Sequence, residues 1–429
     1  MTPPRVLVLA EQCNPDWPSL PVVGYKYALA LGRVCDVTVV TQIRNRPHVE
    51  AARPSEARFD YLDTEYVAAW MNRLSTRLRG GTDVAWSTNM MMAYPPYLEF
   101  ERQVLRRYGA DLSAGRFDLV HRITPMSPTL PSYVAGRTHV PFVLGPLNGN
   151  LAWPKAYVAE QSRERERLRA LRGLYKHLPF ARRTFRRADA ILAAFQHTID
   201  DLGAADPAKV VPMPEIGFDP TLFRPDAERG PFDGTGRCEF LFAGRLVPYK
   251  VPEAAVRAFA SSERLAAHRL RVIGDGPERP RLEAIVREHG AGDRVVFEGQ
   301  RTQAEVAQAM RESDCFVFPS IRELGAGVVI EAMASRMTLV VTDYGAPGDL
   351  CANGRGVRVP LRPLDALTRG FRDAMEGVVA DPAAHRAMAE AGERYARSLY
   401  TWDAKAAETL EIYRTVLDGG DLTAFRQYV

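Results

Sequence analysis

Apolar and polar positions repeat one figure along this chain. A short unbroken apolar run meets a Gly- or Pro-marked turn. A longer stretch follows, with apolar residues returning every three or four positions. "RVLVLA" (5–10) opens the first half. It is followed by a Pro-rich loop, a helical segment near Val22–Val34 and "DVTVVTQ" (36–42). Residues 43–115 read mainly as helices and loops. Apolar runs then recur at "FDLVH" (117–121), "PFVLG" (141–145), "AILAAF" (190–195) and "KVVPM" (209–213). Runs without polar alternation are expected of parallel strands covered on both faces.

The second half keeps a cleaner rhythm. The strand runs are "EFLFAG" (239–244), "LRVIGDG" (270–276), "RVVFEG" (294–299), "DCFVFPS" (314–320) and "TLVVTDYG" (338–345). Between them lie the helical stretches "PEAAVRAFA", "PRLEAIVREHG" and "QAEVAQAMRES", and a further helix after Gly327. Proline stands near the start of the first and glycine at the end of the second, where each is favoured. Strand and helix alternating at this spacing predict an α/β fold on doubly wound parallel sheets. The stretch 217–236 concentrates Gly, Pro and Asp and is read as the hinge between two domains. The expectation is two Rossmann-like domains facing across a cleft, with ligands outside the carboxyl ends of the strands.

Bulk properties narrow the picture a little. A chain of 429 residues exceeds one core, and two domains of roughly 200 residues each are the natural division. The net charge of +4 suits an anionic ligand without demanding one. The five cysteines, Cys13, Cys35, Cys238, Cys315 and Cys351, form no Cys-x-x-Cys pair and are odd in number. They are read as reduced thiols of a cytoplasmic protein, and not as a disulfide frame or metal site. The apolar run at the start is too short for a secretory signal, and no stretch of 18 apolar residues occurs.

The unusual residues of the second half fall at strand ends. In "RELGAGVVIEAMAS" (322–335), Glu323 lies in a loop and Glu331 about a turn inside the following helix. A helix N-terminus offers unpaired N–H groups and partial positive charge, which suit phosphate. A carboxylate nearby can accept two hydrogen bonds from a vicinal diol such as a ribose. In "FAGRLVPYK" (242–250), Arg245 and Lys250 follow the strand-end Gly244. A guanidinium clamps phosphate oxygens and an ammonium adds a mobile point charge. In "VIGDGPE" (272–278), Gly274 and Gly276 form a turn where backbone can approach a ligand closely. A solvated basic loop and an ordinary helix-dipole glutamate are the plainer readings of the same residues.

Taken in order, "FAGRLVPYK", "VIGDGPE", "VVFEG", "DCFVFPS", the Glu-x7-Glu pair and "VVTDYGAPGDL" resemble a known pattern. From Phe240 to Leu350 the chain resembles the C-terminal domain of the retaining glycosyltransferases of family 4, in particular a bacterial subset. These proteins have the two-domain GT-B fold. The tail "YTWDAKAAETLEIYR" (400–414) is similar to the family's closing helix. The resemblance implies an N-terminal acceptor-binding domain over 1–220 and a nucleotide-sugar-binding domain over 221–398. It also implies a helix over 399–429 that returns to the first domain. It implies that Glu323 contacts the donor sugar and Glu331 the ribose, while Arg245 and Lys250 hold the diphosphate. Backbone around Gly244, Gly274, Gly276, Gly327 and Val328 would meet the nucleotide, and Gly325 and Ala326 the sugar. Two departures stand out. This chain has Glu-Leu-Gly-Ala-Gly where many members have Glu-Gly-Phe-Gly, and Val251 where a glycine often follows the lysine.

Three stretches of the first half look similar to the same subset: "NPDWPSLPVVGY" (14–25), "FDLVHRITPMSPTLPS" (117–132) and "PFVLGPLNGNLAWP" (141–154). His121 matches a family histidine near the donor sugar and joins Arg245, Lys250 and Glu323 as a catalytic candidate. A lone histidine at a strand end is otherwise more often structural. Gly24, Gly145, Asn148 and Gly149 are expected to wall the cleft. Gly24 is the one glycine where many members have a pair near the diphosphate.

The segment 163–187 interleaves dense arginine with Leu, Tyr and Phe. A solvated helix pair is the favoured reading, and peripheral contact with anionic lipid on the inner face of the cell membrane is the alternative. Nothing beyond charge points to nucleic acid. The function expected is metal-independent, cofactor-free transfer of a sugar from a nucleoside-diphosphate donor, uridine by analogy, to an acceptor hydroxyl. The acceptor is a saccharide, a lipid-linked saccharide or a small natural product. A nucleotide-sugar epimerase and a non-catalytic nucleotide-sugar-binding protein are the competing readings. A nicotinamide dehydrogenase is set aside, because "RVLVLAEQCNP" lacks the Gly-x-Gly-x-x-Gly turn.

Overall fold

The computed structural model describes residues 2–67, 69–70, 86–158, 176, 178–203, 205–230 and 232–426. Most of the arginine-rich segment, residues 163–175 and 177, lies outside them. The chain divides into two compact units. The first comprises Met1–Asn150, Arg165–Gly217 and Trp402–Val429, and the second Leu151–Glu164 and Phe218–Thr401.

The first unit holds seven strands. These are β1 (Arg5–Ala10), β2 (Asp36–Gln42), β3 (Arg58–Leu62), β4 (Leu119–Thr124), β5 (Phe142–Leu147), β6 (Ala190–Ala193) and β7 (Val210–Pro212). They run parallel in the order β3-β2-β1-β4-β5-β6-β7. Successive residues of β1 point to opposite faces, and both faces are covered. Val6, Val8 and Ala10 join Tyr27 and Leu31 of the helix Leu20–Gly32, and Ile412 and Tyr413 of the helix Trp402–Leu417. Leu7 and Leu9 join Tyr97, Phe100 and Val104 of the helix Trp86–Ser113. Each such side chain contributes about 1.5–3 kcal/mol on burial, which is why the strand shows no polar alternation.

The second unit holds β8 (Glu239–Ala243), β9 (Arg269–Ile273), β10 (Val295–Gly299), β11 (Cys315–Phe318), β12 (Thr338–Asp343) and β13 (Val357–Pro360). They are parallel, in the order β10-β9-β8-β11-β12-β13. Strand order reverses between β8 and β11, the place where open α/β sheets bind ligands. The helix Gln303–Arg311 starts on a capping box, with Thr302 accepting from the Glu305 amide and the Glu305 carboxylate reaching back to the Thr302 amide. Both sheets have the parallel architecture expected from the sequence.

Two strands escaped the sequence pattern, and both are edges. β3 lies within the stretch read as helices and loops. Arg58 ion-pairs with Asp36 on β2 at 2.7 Å, and only the last residue of β3 is buried. β13 is four residues long and ends in proline. An edge strand pairs on one side only and need not be apolar on both faces. All five cysteines are buried and free. Among the described residues, no helix is long and apolar enough to cross a membrane.

Candidate functional site

In the second unit, two strand-end turns interlock through their backbones. The Gly244 amide donates to the Ile273 carbonyl at 2.9 Å, and the Leu246 amide to the Asp275 carbonyl at 2.9 Å. A Cβ at Gly274 would lie 2.0 Å from the Gly244 carbonyl oxygen, and one at Gly276 would lie 2.4 Å from that of Leu246. Both glycines have positive φ, 126° and 155°. No side chain fits at either position, so these glycines serve the turn-to-turn contact whatever ligand comes near.

Arg245 and Lys250 emerge from the first of these turns. Arg245 is exposed, and its guanidinium donates to the Tyr249 hydroxyl at 2.7 Å. Lys250 ends the short 3₁₀ turn Pro248–Lys250 and is only 8% exposed. Its Nζ lies 2.5 Å from Glu323 Oε1 and 4.7 Å from the centre of the Phe318 ring. The Ser320 hydroxyl donates to the same Glu323 oxygen at 3.1 Å. The loop after β11 is tied to the loop after β8 by the Ile321 amide on the Tyr249 carbonyl, at 3.0 Å. Val251 follows Lys250 with φ 43° and ψ 46°, a left-handed conformation costly for a β-branched side chain.

The helix Gly327–Ala334 begins after Ala326, which is also left-handed at φ 47° and ψ 44°. No side chain caps it, and the first amides of a helix lack partners within the helix. Gly325 and Ala326 are buried, while Gly327, Val328 and Glu331 keep partial exposure. Glu331 Oε1 accepts from Gln303 Nε2 at 3.1 Å. The carboxyl end of this sheet thus collects two cations, two carboxylates and an N-terminal helix end. That set can bind an anion, and it can also receive hydroxyls from a polyol.

The first unit treats its candidate residues differently, and His121, expected at a strand end, lies in the middle of β4. His121 is wholly buried on β4. Its Nε2 lies 2.7 Å from the Gly145 carbonyl and its Nδ1 2.5 Å from the Tyr413 hydroxyl. A carbonyl only accepts, so Nε2 carries the proton and Nδ1 accepts from the tyrosine. Burial pulls the imidazole pKa down to about 3, keeping it neutral. With both nitrogens used and no exposed surface, His121 fastens the C-terminal helix to the sheet, and the expected sugar contact would require it to give up one of these partners. Asn148 Nδ2 donates to Glu215 Oε1 at 2.7 Å, and the Gly149 amide donates to the Thr198 hydroxyl at 3.2 Å. Gly145 supplies the carbonyl for His121. Gly24 is where the helix Leu20–Gly32 crosses the loop after β1, since a Cβ there would lie 2.5 Å from the Gln12 carbonyl oxygen. Backbone contact inside the unit accounts for this glycine without a ligand.

In the second unit, sequence reasoning misses four partners of the predicted residues: Tyr249, Ser320, Phe318 and Gln303. Tyr249 and Ser320 sit inside the quoted motifs, one and three residues from Lys250 and Glu323, and spacing could have raised them. Phe318 was a strand residue like any other. Gln303 belongs to a different helix from Glu331, and no linear signal connects the two.

Residues 229–395 match the family described as Glycosyl transferases group 1. A D-inositol 3-phosphate glycosyltransferase of Kineococcus radiotolerans is 33% identical over 255 residues, covering 53% of this chain and 57% of that protein. The chain spans about half the length of the curated relatives it matches. Among solved structures, sucrose-phosphate synthase from Thermosynechococcus elongatus superposes with a TM-score of 0.64 at 19% identity, covering 98% of this chain and 100% of that one. Anabaena HepE in complex with UDP superposes at 0.60 with 15% identity, covering 95% and 100%. Identities this low bear on fold alone. Residues 229–395 thus match the group 1 glycosyltransferase family in sequence, and over nearly its whole length the chain is similar in fold to these two solved structures.

Proposed function

We propose that the protein transfers a sugar, with retention at the anomeric carbon, from a nucleoside-diphosphate donor to an acceptor hydroxyl. The observation that carries this reading is the Lys250–Glu323 pair, which joins the ends of β8 and β11 beside the helix starting at Gly327. An ammonium, a guanidinium and a helix N-terminus at the carboxyl end of one sheet offset the charge developing on a departing diphosphate, without recourse to a metal. Glu323 then orients the sugar, while Lys250 holds its carboxylate in place. Glu331 receives the ribose diol, replacing or sharing its contact with Gln303. The departing phosphate takes the acceptor proton on the same face, so no protein base is invoked. Uridine is the base we put first, since HepE was solved with UDP. The acceptor is a hydroxyl compound of saccharide type.

Thermal shift with UDP, GDP, ADP and NAD, on wild type and on Glu331→Ala, tests the reading. A ligand confined to the folded state raises Tm by mass action. One nucleoside diphosphate should stabilise the wild type by several degrees, with most of that shift lost in the variant. No stabilisation by any diphosphate at millimolar concentration would defeat the proposal. Stabilisation by NAD alone would move the protein to another class.

A further inference from the structure

A short stretch from the first half of the chain belongs to the second unit. Among its described residues, Leu151–Val158, the side chains of Leu151, Trp153 and Tyr157 are 4%, 3% and 1% exposed. Contacts of Leu151–Trp153 fall on the loop that carries Glu323 and on the turn after β12. The Arg322 guanidinium lies over the Trp153 ring, 5.3 Å from its centre. The Tyr344 hydroxyl donates to the Ala152 carbonyl at 2.7 Å. Gly345, in the turn after β12, is squeezed between the two: a Cβ there would lie 2.7 Å from Leu151 Cδ2 and 2.8 Å from the Glu323 carbonyl oxygen. That same Glu323 carbonyl accepts from the Ala346 amide at 3.2 Å. Beyond Trp153 the stretch is anchored by the Tyr157 hydroxyl on the Arg362 carbonyl, at 2.7 Å.

The glutamate loop therefore has two supports. One is the Lys250 ammonium and Ser320 hydroxyl on its carboxylate. The other is this stretch, which holds the neighbouring arginine and presses the β12 turn against the glutamate backbone. We propose that Leu151–Tyr157 is a brace for the sugar-contacting loop, and that Trp153 is a positioning residue acting on Glu323 through Arg322. The inference rests on the donor-site reading above and goes beyond it. It makes recognition of the donor's sugar, as distinct from its nucleotide, depend on a tryptophan 170 positions earlier in the sequence. The loop is where this chain has Leu324 and Ala326 in place of the pattern common among similar proteins, and its backbone needs external support. Ala326 is left-handed without being glycine, and it holds that conformation against its own preference.

The test compares Trp153→Leu with Trp153→Phe, which keeps a ring face for the guanidinium. Arg322→Gln is a third variant in case the buried leucine substitution fails to fold. Hydrogen exchange of the full chain is read first. Trp153→Leu and Arg322→Gln should exchange the amides of 322–327 about 10-fold faster, while Trp153→Phe stays near wild type and the strand amides are unmoved in all three. Isothermal titration follows, with UDP and UDP-glucose as probes. UDP affinity should stay within about 2-fold in every variant, while UDP-glucose affinity falls about 10-fold in Trp153→Leu and Arg322→Gln and recovers in Trp153→Phe. Unchanged exchange in 322–327, or equal losses of UDP and UDP-glucose, would overturn the brace. A wild type that binds neither UDP nor any other nucleoside diphosphate, with normal exchange effects in the variants, would instead overturn the donor-site reading.

Discussion

The two units share a parallel sheet flanked by helices, yet they dispose of polar residues at their strand ends in opposite ways. After β8 and β11 the charged side chains lie at the carboxyl end of the sheet: Arg245 is exposed, and Lys250 and Glu323 meet at a part-buried pair. On β4 itself, and after β5 and β7, the polar groups turn inward. His121 pairs with Tyr413 and the Gly145 carbonyl, and Asn148 pairs with Glu215, which is 4% exposed. The C-terminal helix makes the difference. Trp402–Leu417 lies on the first sheet, and its Lys405, Thr409 and Tyr413 are buried there as partners for polar groups. Lys405 reaches the Pro214 carbonyl, and Thr409 shares a 2.6 Å hydrogen bond with the Tyr27 hydroxyl. The polar candidates thus stay at the strand ends in one sheet and serve as internal fasteners in the other.

The comparison breaks most readily at Lys250. With Lys250→Ala, turnover measured as nucleoside-diphosphate release should fall by about 100-fold or more, the scale of losing a preorganised charge at a leaving group. Undiminished turnover would remove the lysine from the chemistry. His121→Ala should do the reverse. It should cost about 2–4 kcal/mol in urea unfolding, from two buried hydrogen bonds and a cavity, and leave nucleoside-diphosphate affinity within about 2-fold. An intact stability with lost activity would restore His121 to the site.

The pH dependence sharpens the same contrast. An unfolded histidine takes up a proton near pH 6.5, and folded His121 only near pH 3. In that window the folded chain binds fewer protons, so stability from this residue is complete above pH 6.5 and is lost as pH falls toward 3. The slope approaches about 1.4 kcal/mol per pH unit. His121→Gln should flatten the stability profile between pH 6 and 4 by about one proton, read from urea midpoints at fixed ionic strength. The smallest effect is expected at Val251, which is 5% exposed with φ 43°. Val251→Gly removes a buried side chain worth about 1.5–3 kcal/mol and relieves a conformation costing about 1–3 kcal/mol. The net change should stay within about 1 kcal/mol by thermal melt, where a relaxed buried valine would lose more.

Strand runs, helix spacing and the glycine turns were legible in the sequence because burial on both faces and backbone conformation each restrict residue type locally. That covered eleven of the thirteen strands among the described residues; the two missed, β3 and β13, are edges where one-sided pairing relaxes the apolar demand. The residues of the second unit's site were legible for a related reason. A strand end, a turn and a helix start lie within about ten residues, so a linear motif is also a spatial one. What the linear order did not contain is which of these groups would find partners far along the chain. His121 meets Tyr413, Glu331 meets Gln303, and Trp153 underlies Arg322. Local sequence determined the elements and the turns, because their constraints are steric and short-range. Tertiary structure alone decided which polar side chains remain available to a ligand, because desolvation and hydrogen-bond satisfaction depend on whatever the fold packs against them.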